Sequence, residues 1–177
     1  EVNDEGIAIP ILLGDKEIIL NIISENHLGL DNVQIIDTKS KDEETRRNEF
    51  AHSYFEKRNR KGCTLLEAQS LIRQHNYFGV MMVEKNIADV FISGLTRKYP
   101  ATILPALEII GKQDGVRLVA GMYIMMTKKG PYFFADTTVN INPSVQDLVD
   151  ITLLTANTVK EFNITPRIAM LSYSNFG

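Results

Sequence analysis

The chain has 177 residues, of which 44% are hydrophobic and 23% are charged, and its formal net charge at pH 7 is −3. This composition is typical of a globular protein, and the small negative charge argues against binding to nucleic acid or to an acidic membrane. No apolar run reaches membrane-spanning length, and the single cysteine cannot form an internal disulfide. We therefore expect a soluble, cytoplasmic protein.

In the first half of the chain, short apolar segments alternate with amphipathic ones. The apolar runs predict buried strands, and the spacing of the isoleucines between them predicts a helix. Thr64 and Glu67 have the spacing of a capping box, in which each residue satisfies a backbone N–H of the other. The predicted elements are a strand over 7–13, a helix over 16–26, a strand over 33–37, helices over 43–60 and 64–75, and a helix over 77–85, where a strand is the alternative.

The second half continues in the same manner. Ser144 and Asp147 resemble a second capping box, which opens the clearest helix of the chain. The predicted elements are a strand over 88–93, a helix over 102–110, strands over 118–126 and 132–135 joined by a tight turn, a long helix from Ser144, and a strand over 167–171.

This alternation predicts an α/β fold with a mostly parallel sheet and crossover helices on both of its faces. We expect two subdomains, residues 1–85 and residues 86–177, with the ligand-facing loops in the second. We also expect the fold to be incomplete at both ends. The first residues resemble the tail of a helix, and the chain stops one loop after the strand predicted over 167–171.

Few residues suggest metal or nucleotide chemistry. His27, His52 and His75 are far apart, and Cys63 has no partner at the spacing of a metal site. A Gly-x-Gly-x-x-Gly fingerprint and a phosphate-binding P-loop are both missing from the sequence. The basic residues 57–61 share their helix with glutamates, which favours a solvated helix end over a nucleic-acid site.

Two polar loops follow predicted strands, namely Ser93-Gly-Leu-Thr-Arg97 and Ser172-Tyr-Ser-Asn175. Open α/β sheets bind ligands at the carboxyl ends of their strands, where Arg97 could contact a phosphate or a carboxylate. The same residue types also occur in turns that bind nothing, so the pattern alone leaves both interpretations open. The candidate ligand-binding residues are Ser93, Gly94, Thr96, Arg97, Tyr99, Ser172, Ser174 and Asn175.

Several ordered motifs, covering nearly the whole chain, resemble the phosphotransacetylase family. The motifs lie at residues 5–14, 60–64, 93–97, 105–111, 134–143 and 169–177. The resemblance implies the fold of that family and a site for an acylated coenzyme A.

The details resemble one branch of the family. Its enzymes tend to have Ser-Gly-Ala, Asp-Cys-Ala and Ser-Thr-x-Gly where this chain has Ser93-Gly-Leu, Asp136-Thr-Thr and Ser174-Asn-Phe-Gly177. This combination is similar to the C-terminal domain of bacterial multidomain NADP-dependent malic enzymes. That resemblance implies a homo-oligomeric domain that binds acetyl-CoA and inhibits malate decarboxylation. NADP and a divalent metal would then belong to the malic enzyme domain of the parent chain.

One departure from the family argues against catalysis. Active transacetylases usually have an arginine at the position of Leu104, and that arginine helps to hold the acyl phosphate. The resemblance also assigns the catalytic serine, arginine and aspartate to a segment beyond Gly177, so we assign no catalytic residue in this chain. The alternatives are an active phosphate acetyl- or butyryltransferase and an oligomerisation scaffold without a ligand.

Overall fold

A computed structural model describes residues 2–30 and 33–171 of the chain. The strands are β1 (Ile11–Leu13), β2 (Gln34–Ile36), β3 (Met122–Thr127) and β4 (Gly130–Ala135). The helices are α1 (Lys16–Glu25), α2 (Glu44–Arg58), α3 (Leu65–Ile72), α4 (His75–Glu84), α5 (Tyr99–Ile109) and α6 (Val145–Glu161), and a 3-10 turn covers Asn59–Lys61.

The strands pair in two ways. β1 and β2 are parallel, with Ile11 opposite Gln34 and Leu13 opposite Ile36, and the helix α1 connects them. β3 and β4 form an antiparallel hairpin, in which Met122 lies opposite Ala135 at the end away from the turn. The structure thus confirms a mixed α/β fold with parallel strands joined by a crossover helix.

Two predicted strands are wrong. Residues 88–93 and 167–171 form no ladder with any strand in the described part of the chain. Val90 and Ile92 are 71% and 90% exposed, whereas a buried strand would hide both side chains. An apolar run predicts a strand only where a neighbouring strand supplies hydrogen-bond partners, and the run by itself cannot show that such a neighbour exists.

The other predicted elements are present, but the strand predicted over 7–13 begins only at Ile11 and the strand predicted over 118–126 only at Met122. The choice of a helix for 77–85 is confirmed by α4. Both capping boxes form as the sequence predicts. The Glu67 amide donates to Thr64 Oγ1 at 3.2 Å, and the Thr64 amide donates to Glu67 Oε2 at 2.8 Å. At the start of α6 the Asp147 amide donates to Ser144 Oγ at 3.2 Å, with the reciprocal bond at 2.8 Å.

The chain forms two compact units, Glu1–Gly111 and Lys112–Gly177. The boundary predicted between residues 85 and 86 concerns the subdomains of the family fold and stays a prediction. The first unit has a core built by α2, α3, α4 and α5, in which Phe50 and Phe78 pack with ring centroids 5.1 Å apart. In the second unit α6 packs on the hairpin, with Phe133 and Phe162 5.6 Å apart.

None of the helices in the described residues combines the length and the apolarity that a bilayer crossing requires. Within the same residues, no group of three or more His, Cys, Asp or Glu side chains is arranged to hold a metal ion.

Candidate functional site

The loop of residues 93–97 is fixed at its start by a buried asparagine of α4. Ser93 Oγ donates to Asn76 Oδ1 at 2.8 Å, and Asn76 Nδ2 donates to the carbonyl of Ala101 at 2.9 Å. Asn76 is only 6% exposed, so these two bonds satisfy an amide that would be costly to bury alone. Asn76 therefore connects the first turn of α4, the loop and the first turn of α5.

A close contact between Gly79 and Phe91 positions the segment that leads into this loop. A Cβ atom on Gly79 would lie 2.2 Å from Phe91 Cε2, which no real side chain tolerates. Gly79 lies one turn beyond Asn76 in α4, so Phe91 and Ser93 contact one side of the same helix. The absence of a side chain at residue 79 is what allows this approach.

The loop itself presents its residues to solvent. Ser93, Gly94, Thr96 and Arg97 are all exposed, as is Tyr99, the first residue of α5. The backbone of Gly94 has φ +142° and that of Leu95 has φ +60°, and the Thr96 amide donates to the Gly94 carbonyl at 2.7 Å. This tight turn directs the loop past the start of α5 with its polar side chains free of the core.

Two cations, Arg97 and Lys39, lie near the start of α4. Burial, and then the charges of Arg97 and Lys39, lower the pKa of His75, the first residue of α4, although Asp37 acts in the opposite direction. The residues before α4 and α5, Gln74 and Lys98, cap neither helix through a side chain. Within the described residues, the first N–H groups of α4 have no hydrogen-bond partner, and with the positive end of the helix dipole they favour an anionic ligand. The start of α5 offers less, because Pro100 has no N–H and the Ala101 amide donates to the Lys98 carbonyl at 3.0 Å.

We call the loop of residues 93–97, with the first turns of α4 and α5, the 93–97 loop site. It contains five of the eight residues predicted from the sequence: Ser93, Gly94, Thr96, Arg97 and Tyr99. The other three, Ser172, Ser174 and Asn175, lie outside the described residues. Sequence reasoning missed Asn76, His75 and Lys39. The sequence offered little signal for Asn76, because this residue follows two other polar residues, Gln74 and His75, ahead of the apolar run that begins at Tyr77.

Position 104 lies in α5, one turn beyond the start of the helix. Leu104 is 46% exposed there, so the position faces solvent and not the core. The nearby Thr102 Oγ1 is buried without a hydrogen-bond partner in the described residues. A neutral leucine thus stands where the resemblance predicts that an active enzyme has a cation.

In the second unit, four backbone N–H groups surround the carboxylate of Asp136, an arrangement that the sequence did not reveal. Asp136 Oδ1 accepts from the amides of Gly121, Thr138 and Val139 at 3.0 to 3.1 Å, and Oδ2 accepts from the Asn140 amide at 2.8 Å. Burial alone would raise the pKa of Asp136, but these bonds outweigh it and hold the pKa below its usual value. The motif of residues 134–140 therefore acts as a loop anchor in this structure.

Comparison with known proteins agrees with this architecture. The family model described as phosphate acetyl/butaryl transferase matches residues 1–177. The chain belongs to this family. The resemblance predicted from the motifs is therefore confirmed.

Three similar proteins show the range of relatives within the family. The chain is 38% identical over 173 residues to a phosphate acetyltransferase of Helicobacter pylori, covering 98% of this chain and 33% of that protein. It is 34% identical over 173 residues to an NADP-dependent malic enzyme of Escherichia coli, covering 97% of this chain and 23% of that protein. A phosphotransacetylase crystal structure from Streptococcus pyogenes has a TM-score of 0.81 at 34% identity, covering 99% of this chain and 53% of that one.

The chain thus spans between about a quarter and about half of the length of these relatives. It is a phosphotransacetylase-like domain, and its relatives include both phosphate acetyltransferases and malic enzymes.

Proposed function

We propose that this domain binds acetyl-CoA at the 93–97 loop site and regulates a malic enzyme domain of the same polypeptide, without transferring acetyl groups itself. One observation carries the proposal: the exposed cations Arg97 and Lys39 both lie near His75, at the uncapped start of α4 and beside one exposed loop. Coenzyme A carries several phosphate groups, and such a site offers them both charge and N–H donors.

The roles within the site follow from side-chain chemistry. The guanidinium of Arg97 is our choice for a bidentate phosphate contact, because it is exposed and has no ion-pair partner in the described residues. The hydroxyl groups of Ser93, Thr96 and Tyr99 would contact the pantetheine or acetyl part. Ser172, Ser174 and Asn175, which lie outside the described residues, are the other ligand contacts that the resemblance implies.

The neutral side chain of Leu104 supports binding of acetyl-CoA without transfer of its acetyl group. Transfer of an acetyl group to phosphate builds negative charge that a positioned cation stabilises, and removal of such a donor typically costs a factor of about 10² to 10³ in rate. Leu104 offers no donor, and its exposure shows that an arginine would fit there without burial of its charge. The same position in an active enzyme would contribute this stabilisation.

The wider assignment rests on the relatives. Similarity to a malic enzyme supports a parent that decarboxylates malate with NADP and a divalent metal, both held by its malic enzyme domain. We propose that these domains pair into a homo-oligomer. Binding of acetyl-CoA would then favour one of two arrangements of the assembly, which is the requirement for allosteric control.

An active phosphate acetyltransferase is the second candidate, because the Helicobacter pylori enzyme is 38% identical to this chain over 98% of its length. Under this proposal the protein would convert acetyl phosphate and CoA to acetyl-CoA and phosphate without a metal. Leu104 is the residue that argues against it.

Calorimetric titration of the full-length protein with acetyl-CoA tests the binding proposal. Arg97→Gln should weaken binding by about 10-fold or more, since a lost bidentate contact is worth at least about 1.4 kcal/mol. Lys85→Gln is the matched control, because Lys85 is an exposed cation at the far end of α4, about 15 Å from its first residue. Equal affinity of the Arg97→Gln variant and the wild type would refute the assigned contact.

A coupled assay with acetyl phosphate and CoA decides between the two candidates. The regulatory proposal predicts negligible acetyl transfer and a change in malate decarboxylation when acetyl-CoA is added. Robust transfer by the wild type would refute it and establish the enzyme. Leu104→Arg sharpens the test, because a gain of transfer in this variant alone would show that the missing cation limits the chemistry.

A further inference from the structure

A polar cavity lies in the first compact unit, beside helices α2 and α3. Its volume is about 190 Å³, and we call it the α2–α3 cavity. Five polar side chains line it: Glu44, Arg47, Asn48, Gln69 and Arg73. None of them belongs to the 93–97 loop site.

Arg47 is a buried cation without a carboxylate partner in the part of the chain that the structure describes. It is only 9% exposed, and its Nη1 group donates to the carbonyls of Thr38, at 3.1 Å, and Ser40. Among the described residues it forms no ion pair, and its Nε and Nη2 groups make no hydrogen bond. Burying a cation is costly unless an anion compensates for the lost hydration.

These remaining donors are not sealed in the core, because the Nε and Nη2 atoms of Arg47 are not among the fully buried side-chain atoms without a hydrogen bond in the described residues. Since Arg47 lines the cavity, its free N–H groups are open to a molecule bound there. The two carbonyl bonds fix the guanidinium, so a ligand would meet a donor that is already oriented.

A second guanidinium lines the same cavity. Arg73 directly follows α3, its side chain is exposed, and it also lacks an ion pair in the described part of the chain. The buried Thr38 holds the adjacent backbone, because its Oγ1 donates to the Arg73 carbonyl at 2.9 Å. Two like charges at one cavity repel each other, and an anion between them would remove this cost.

The remaining lining residues refine the ligand chemistry. The amides of Asn48 and Gln69 supply further donors, while Glu44 supplies an acceptor that pairs with neither arginine. Two arginines and one glutamate give the lining a net charge of +1. Such a set suits an oxyanion that also carries a donor, such as a hydroxyl or an amine.

We propose that the α2–α3 cavity is a binding site for a small oxyanion, a carboxylate or a phosphate ester, held by the guanidinium groups of Arg47 and Arg73. Glu44 accepts a hydrogen bond from a hydroxyl or amine of the same ligand. The site is separate from that for acetyl-CoA and does not depend on it.

Titration calorimetry of the full-length protein with inorganic phosphate and with succinate, at constant ionic strength in chloride, tests this site. At least one probe should bind saturably, and Arg73→Gln should weaken it by about 10-fold, the equivalent of one charge-assisted contact. Arg73 is exposed, so this change leaves the fold intact. The probe that binds identifies the anion class.

Three further variants keep the result decisive. Lys85→Gln should leave the affinity within about 2-fold, because Lys85 does not line the cavity, and Arg97→Gln reports any probe that binds at the 93–97 loop site instead. Arg47→Lys keeps a donor for the two carbonyls but removes the planar guanidinium that can bind an oxyanion through two N–H groups. The variant should therefore fold and still lose affinity. The proposal is overturned if neither probe binds saturably, if Arg73→Gln binds as the wild type does, or if only Arg97→Gln loses binding.

Discussion

Glu108 in α5 holds three elements of the first unit together, and its replacement should destabilise that unit strongly. Its Oε2 accepts from the hydroxyls of Tyr54 in α2 and Tyr77 in α4, both at 2.8 Å, and its Oε1 accepts from Arg58 Nη2 at 2.8 Å. The Glu108 side chain is 14% exposed. Loss of the carboxylate would leave two buried hydroxyls and a largely buried cation without their partner.

The expected magnitude follows from these contacts. Removal of one member of a buried charged pair costs about 3–5 kcal/mol, so Glu108→Ala should lower the free energy of unfolding by about that amount. Glu108→Gln keeps the shape and one acceptor but loses the charge, and a loss of about 1.5–3 kcal/mol is expected. Tyr54→Phe removes one bond only and should cost about 1 kcal/mol.

Urea unfolding followed by far-ultraviolet circular dichroism measures these changes. The matched control is Glu84→Gln, since Glu84 pairs with Lys57 where the side chains are 26% and 36% exposed, and such pairs contribute about 0–1 kcal/mol. If Glu108→Gln costs no more than Glu84→Gln, the carboxylate does not stabilise the unit and our reasoning about burial is wrong.

The tyrosines give a second readout of the same cluster. Burial, and then the hydrogen bond to Glu108, raise the pKa of Tyr77 to about 12 and also raise the pKa of Tyr54. Because unfolded tyrosine ionises near pH 10, the stability that the fold gains here is present below about pH 10 and is lost as the pH rises towards 12.

Two further predictions concern the contact between Gly79 and Phe91 and the stability of the protein in acid. Gly79→Ala should destabilise the first unit by about 1–3 kcal/mol through overpacking against Phe91, although the same change in a free helix stabilises by about 1 kcal/mol. Gly79→Ala should also weaken acetyl-CoA binding, and adding Phe91→Leu should restore part of the stability and part of the affinity. If the Gly79→Ala variant is as stable as the wild type, the close contact between Gly79 and Phe91 is wrong. Hydrogen bonds from Ser144, together with Arg117, lower the pKa of Asp147 to about 2, so its stabilising effect should be present above about pH 4 and disappear as the pH falls towards 2. Asp147→Asn should flatten the acid limb of an unfolding titration over that range, and an unchanged limb would show that the capping carboxylate is not coupled to folding.

The sequence predicted the local elements well because their signals are local. The capping boxes at Thr64 and Ser144 depend on side chains three residues apart, and such contacts form whatever the rest of the fold does. The parallel pair of β1 and β2 follows from two apolar runs joined by a short helical segment. The strands expected over 88–93 and 167–171 failed because strand formation needs a distant partner, which an apolar run does not encode.

The candidate site also combines features that depend on neighbours in the sequence with features that depend on distant residues. The order of motifs was enough to recognise the family, and the ligand-binding role of Ser93, Gly94, Thr96, Arg97 and Tyr99, which are near neighbours in the chain, stays a prediction. The loop anchors, the cluster around Glu108 and the arginine-lined cavity each join residues far apart in sequence. The sequence by itself determined which residue types were present, and only tertiary packing decided which of them lost water, met a partner or kept a charge uncompensated. The cost of burying a polar group depends on all its neighbours at once, and those neighbours are set by the fold.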